Sequence, residues 1–218
     1  MKLLIITQAL DTNHPILGFF HRWVEEFAKH CEYIHVIALQ TGKYDVPKNV
    51  TVHSLGKEKA TQGDTMIYHS VWKIGYAMKF FTLAWKLRHE YNAVFVHMNP
   101  EYVVFAGWWW RATGKKIGLW YTHKSVDLKL RIAEFFANVV FTASEESFRL
   151  ASKKVQVMGH GIDTDFFKPN SATVREAHLL SVGRLMPSKR HDLAIRAAAD
   201  EPPPPCSTTV ATAKRGLS

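Results

Sequence analysis

The 218-residue chain sets 28 Lys and Arg against 19 Asp and Glu, a formal charge of +9, and is 47% hydrophobic and 22% charged. That balance belongs to a folded globular protein and excludes a disordered chain or a fibrous repeat. No uncharged apolar run nears the ~18 residues of a membrane helix, and Cys31 and Cys206 lack the spacing of a zinc site or disulfide framework, so a reducing, cytoplasmic setting is expected.

In chain order, Met1 to Ile6 is apolar like the start of a signal peptide. Thr7, Gln8 and Asp11 interrupt it without a small-residue cleavage site, so Lys2 to Thr7 reads as a buried first strand. A loop with Asp11, His14-Pro15 and Gly18 follows. Apolar residues at 19, 20, 23, 24, 27 and 28 then predict a helix from Phe19 to His30. Strands are predicted at Tyr33 to Leu39 and Val50 to Leu55. Asp64 reads as the cap of a long helix to about Glu90, apolar around most of its circumference and therefore buried on more than one side. Then come a strand from Ala93 to Met98, a helix from Glu101 to Thr113, a strand from Lys116 to Thr122 and a helix from Val126 to Phe136. A strand from Asn138 to Thr142, a short helix opened by Ser144 and a strand from Lys154 to Met158 complete the series.

Strands alternating with helices imply an α/β fold, a parallel sheet with helices on both faces. Ligands of such sheets bind at the carboxyl ends of strands, which singles out loops 8–18, 98–101, 122–126 and 142–145. Residues 1–158 make one domain and 159–176 a connector. The pattern then restarts in 177–200, with a strand from Ala177 to Val182 and a helix from Lys189 to Ala199 capped by Ser188. Pro202 to Pro205 and the aperiodic end, 201–218, read as a disordered tail. A lone βα unit buries too little apolar surface to offset its ordering entropy, so 175–218 is expected to be mobile or supported by the first domain.

The charge is uneven. Ten basic residues from Lys73 to Arg131 face three acids, Glu90, Glu101 and Asp127, a local charge of +7 interleaved with aromatics such as Trp72, Trp85 and Trp108-Trp109-Trp110. Lys and Arg stems covering packed helices account for such a pattern, and so does a surface drawn to an anionic membrane leaflet. Nucleic acid is not expected as a partner, because no recognition motif accompanies the charge.

Gly183-Arg184-Leu185-Met186-Pro187-Ser188-Lys189 leaves a predicted strand and enters a helix. Arg184 brings a planar fork of donors, Lys189 a flexible point charge, and the helix start adds backbone N–H groups, a set suited to a diphosphate. From spacing alone the pair also reads as two solvated cations beside a turn. His123, in Trp120-Tyr121-Thr122-His123-Lys124, ends a strand at the ligand edge, where the residues alone read as a half-buried histidine bonded to backbone; His97 ends another beside Asn99, Pro100 and Glu101, with which it lines a ligand cleft or, more simply, packs in the core or rim. The twelve histidines never recur at metal-binding helical spacing, and Asp163-Thr164-Asp165 lies in the connector, where Asp shapes turns, so no metal is assigned.

Val182-Gly183-Arg184-Leu185-x-Pro187-x-Lys189 followed by Asp192-Leu193-Ala194-Ile195 resembles the donor-diphosphate loop of family 4 glycosyltransferases. Gly159-His160-Gly161-Ile162-Asp163 with Phe167 and Pro169 is similar to that family's interdomain connector, and Gly18-Phe19-Phe20 with Trp23, Val24, Phe27 and Ala28 to its N-terminal glycine loop. The resemblance implies two Rossmann-like domains (GT-B), the first taking mainly the acceptor and the second a nucleotide sugar. It implies His123 near the reacting sugar, Arg184, Lys189 and Gly18 at the donor diphosphate, and no cofactor or metal. The implied activity is sugar transfer from a nucleotide sugar to a hydroxyl acceptor, a glycan or lipid-linked intermediate at the inner membrane face. The family's Glu-x7-Glu segment has no counterpart before the chain ends, so a truncated second Rossmann-like domain is expected. A second reading is a non-catalytic fragment that binds an acceptor or a membrane surface.

Overall fold

A strand that is apolar on both faces is stable only between two covering layers, and the first strand has this character. In β1 (Lys2–Leu10), Leu4 and Ile6 face one way, Leu3 and Ile5 the other, and all four are buried. The computed structural model describes residues 1–59, 66–162, 164–165, 167–169, 181–183 and 185–200. Outside these lie Asp64, Asp163, Arg184, residues 177–180 of the predicted strand and the 201–218 tail.

The chain divides into two compact units, Met1–Gly161 and Ile162–Ser218. In the first, β1 is followed by α1 (Phe20–His30), β2 (Tyr33–Thr41), β3 (Val50–Ser54), α2 (Met66–Lys86) and β4 (Ala93–His97). Then come α3 (Pro100–Ala112), β5 (Lys116–Trp120), α4 (Leu128–Phe136), β6 (Val139–Thr142) and β7 (Val155–Val157). The seven strands form one sheet in the order β3-β2-β1-β4-β5-β6-β7, parallel throughout. Register follows the apolar pattern: Ile5 pairs with Val36 of β2 on one side and Phe95 of β4 on the other. Helices cover both faces. Leu4, Ile6, Val94, Val96, Ile117 and Leu119 pack under α2, α3 and α4, with Phe80, Trp110 and Leu130 fully buried among them. On the opposite face Leu3, Ile5, Ile34 and Val36 pack under Phe20, Val24 and Ala28 of α1.

Polar groups lock the first layer. Tyr91 donates its hydroxyl to the Ala84 carbonyl (3.0 Å) and accepts from Trp110 Nε1 (3.0 Å). Lys115 Nζ donates to the carbonyls of Arg88 and Tyr91, each at 2.6 Å, and lies 4.1 Å from the centre of the Tyr91 ring. Burial pushes both the Tyr91 hydroxyl up and the Lys115 ammonium down from their ordinary pKa values. Lys115 is thereby an interior strut rather than part of the surface charge.

The differences from the sequence reading have local causes. β1 runs three residues beyond Thr7, because Ala9 and Leu10 continue the pairing with Gln40 and Thr41. The segment after Ser144 is a single 3₁₀ turn, Glu145–Ser147, in which the Ser144 and Ser147 hydroxyls bond each other at 2.9 Å instead of capping a helix. α2 ends at Lys86 rather than near Glu90, with Ile74, Met78 and Trp85 exposed on its surface. In the second unit α5 (His191–Asp200) begins three residues after Ser188, which lies in a 3₁₀ turn, Pro187–Lys189. Ser188 therefore does not occupy the predicted capping position; left-handed Arg190 (φ 47°) separates turn from helix.

Candidate functional site

From β1 the chain moves outward in one direction to β2 and β3 and returns on the other side as β4, so the carboxyl ends of β1 and β4 flank the sheet's switch point. Thr7 of β1 and His97 at the end of β4 meet there, Thr7 Oγ1 and His97 Nδ1 being 3.3 Å apart. The imidazole stacks on Phe20 of α1 with ring centres 4.2 Å apart, and Phe19 and Trp23 approach it edge-on at 6.2 and 5.9 Å. This apolar enclosure pushes the His97 pKa down to about 4, so the ring is neutral at physiological pH.

The next residues turn the chain abruptly. Met98 takes a left-handed φ of 65°, a conformation that a long side chain adopts only under constraint. Its N–H donates to the Trp120 carbonyl at 2.8 Å, and the Thr122 hydroxyl reaches its sulfur at 3.2 Å. Asn99 follows at the start of α3, with Pro100 in the first turn. Its side chain does not cap the helix. Gln8 Nε2 instead donates to Asn99 Oδ1 at 2.8 Å, while Asn99 Nδ2 is buried with no hydrogen-bond partner among the described residues. A buried amide donor left unpaired costs ~1–3 kcal/mol. Beside the positive end of a thirteen-residue helix, it suits an oxygen-rich or anionic group.

Two sequence-predicted residues border this edge. Gly18 closes the loop before α1: its N–H donates to the His14 carbonyl at 3.1 Å, and a Cβ there would stand 2.9 and 3.0 Å from the carbonyl oxygens of Thr12 and His14. Glycine is thus demanded by backbone crowding, and its N–H is engaged within the loop. His14 Nδ1 accepts from the N–H groups of Ile16 (3.2 Å) and Leu17 (3.0 Å) and so organises the same turn. His123 is exposed on the loop after β5, its ring 5.9 Å from that of Tyr121, whose hydroxyl donates to the Ser125 carbonyl at 3.2 Å. The Gly18 loop reaches the β4 end through Phe19 and Phe20, and the His123 loop reaches it through Thr122 and Met98, so both frame one edge.

In the second unit Lys189 is exposed in its 3₁₀ turn, and a Cβ on Gly183 would lie 3.6 Å from Lys189 Cγ and 3.3 Å from the His191 ring. Ser181 Oγ and His191 Nδ1 are 2.8 Å apart. The turn, Gly183 and the first residue of α5 therefore form one local cluster; Arg184 lies outside the described residues. Among the described residues no group of three or more His, Cys, Asp or Glu is placed to hold a metal ion.

Sequence reasoning singled out His97, Asn99 and the loop 8–18 that holds Gln8 and His14, but gave those two no role and missed Thr7 and His191. Asn-Pro marks a helix start, yet neither Met98's left-handed turn nor Gln8's link to Asn99, ninety-one residues away, leaves a local signal.

The chain matches no protein-family model, and no curated protein matches it. Among solved structures it is similar to Anabaena Alr3699/HepE in complex with UDP, at 17% identity and a TM-score of 0.61, covering 93% of this chain and 58% of that one. It is also similar to MurG of Acinetobacter baumannii, at 12% identity and a TM-score of 0.50, covering 85% of this chain and 53% of that one. The chain spans little more than half the length of these structures, and the likeness establishes a GT-B-like, Rossmann-type α/β fold.

Proposed function

We propose that the chain serves transfer of a glycosyl group from a nucleotide sugar to a hydroxyl acceptor, a glycan or a lipid-linked intermediate. The observation that carries this reading is the unpaired Asn99 amide at the start of α3, held by Gln8 at the switch point of the sheet. A hydroxyl-rich acceptor satisfies such a donor. The resemblance of the Gly183–Lys189 segment to a donor-diphosphate loop supports a nucleotide-sugar donor, as does fold likeness to a protein crystallised with UDP.

In the reaction the acceptor oxygen bonds to the anomeric carbon, the bond from that carbon to the diphosphate breaks, and the acceptor proton passes to the departing diphosphate. Arg184 and Lys189 stabilise charge on the departing diphosphate, the dominant contribution in such a step. His123 assists near the anomeric centre, and Gly18 shapes the loop beside it. No metal or cofactor is required in this scheme.

Saturation-transfer NMR with UDP, GDP and their sugars, followed by transfer assays on a panel of hydroxyl acceptors, tests the reading. Binding of at least one nucleotide is expected, with Arg184→Ala/Lys189→Ala weakening it and lowering transfer by about 10²-fold or more. Nucleotide signals unchanged in the double variant overturn the donor assignment.

A further inference from the structure

The outer surface of α2 and α3 is unlike an ordinary helix exterior. On α2, Ile74, Met78, Phe81 and Trp85 recur at helical spacing, and Ile74, Met78 and Trp85 are 62%, 67% and 48% exposed. Phe81 and Trp85 both approach Trp109 of α3, at 5.8 and 5.3 Å between ring centres. The next α3 residues outward, Phe105 and Trp108, are 50% and 55% exposed. Five large apolar side chains thus face outward on two neighbouring helices, where single exposed residues are the norm.

The charge beside them has one sign. Lys86 is exposed on α2 next to Trp85, Arg111 follows Trp108 on α3, and the Arg88 guanidinium lies 4.9 Å from the centre of the Trp85 ring. α2 contains no acid. The acid of α3, Glu101, is held by Lys129 at 3.0 Å, and Glu90 beyond α2 accepts from His35 at 3.1 Å. No helix among the described residues is long and apolar enough to cross a membrane. Indole and phenyl rings interspersed with Lys and Arg, without competing carboxylates among the described residues of this face, match the boundary between headgroups and acyl chains of an anionic leaflet. A protein partner's apolar face would explain the rings but leaves the cations without a counterpart.

We infer that the α2–α3 face docks the protein on an anionic lipid surface, with Met78, Trp85, Phe105 and Trp108 entering the interface and Lys86, Arg88 and Arg111 meeting lipid phosphates. This stands independently of the transferase reading, since it involves none of the residues assigned to the reaction.

The test is flotation of the full chain with neutral phosphatidylcholine vesicles and with vesicles containing phosphatidylglycerol, at low and high salt. Binding to the anionic vesicles, weakened by salt, is expected with a blue shift of tryptophan emission. Lys86→Glu/Arg111→Glu should weaken it about 25-fold or more, on roughly fivefold per basic residue near the surface. Met78→Ser/Trp108→Ser should abolish the blue shift, while Lys43→Glu/Lys153→Glu, with the same charge change elsewhere, should weaken binding less than the on-face pair. Far-UV circular dichroism verifies that each variant is folded. Equal binding to neutral and anionic vesicles, or none to either, overturns the inference. Concentration-dependent dimers abolished by Met78→Ser/Trp108→Ser, without vesicle binding, assign the face to a second copy of the chain instead.

Discussion

At the scale of single residues, His97 shows how one environment sets both packing and charge. Its ring is enclosed by Phe19, Phe20 and Trp23 and touches Thr7, so ionising it inside the fold is costly. Its folded pKa of about 4 lies below the unfolded value of about 6.5, so the unfolded chain takes up the proton first. The stability this confers is fully present above about pH 6.5 and is lost as pH falls through 4, amounting to about 3 kcal/mol. Urea titrations between pH 7.5 and 4 should show that loss, and His97→Gln should flatten the slope across this window; an unchanged slope would assign it to other groups. The strand-ending position of His97 was legible from sequence because β-branched Val94 and Val96 announce the strand. Asn99's orphaned amide was not, since it depends on Gln8 taking one side of the amide and the fold closing over the other.

At the scale of elements, α4 is capped at its start by one side chain. Asp127 Oδ1 accepts from the Leu130 N–H at 2.8 Å, and the nine-residue helix buries Leu130 and Ala133 over the sheet. Asp127→Ala should lower stability by about 1 kcal/mol in urea melts, with Asp127→Asn retaining most of it. An Ala variant as stable as the parent would mean that packing alone fixes the helix start. Helix existence was readable here from the 3.6-residue period. The exact start was not, because Val126 is apolar and continues the pattern two residues too early. α2 carried the opposite ambiguity: an apolar circumference signals burial on more than one side, yet among the described side chains Phe80 and Ala84 are buried in the core with Tyr76, Phe81 and Leu83 packed against it, while Ile74, Met78 and Trp85 are exposed. Composition cannot say which of two apolar faces finds a partner.

At the scale of the molecule, the first unit holds the whole seven-stranded sheet and both layers of the core. Residues 1–161 expressed alone should therefore unfold in one cooperative transition, with matching midpoints by fluorescence and circular dichroism. Separate midpoints would show that the two helical layers melt independently. The α/β architecture was legible because strands with both faces apolar leave few alternatives to a parallel sheet. The strand order was not, since periodicity marks elements and says nothing about neighbours.

That order has a consequence for biosynthesis. β1 lies between β2 and β4, and His97 emerges from the ribosome roughly 87 residues after Leu10, a wait of about 4–17 s at ~5–20 residues per second. Until β4 follows, the growing β1–β2–β3 ribbon presents an open hydrogen-bonding rim to other unfinished chains. Translation speed across residues 11–97 and the supply of holdase chaperones, more than final stability, should therefore govern the soluble yield of this protein.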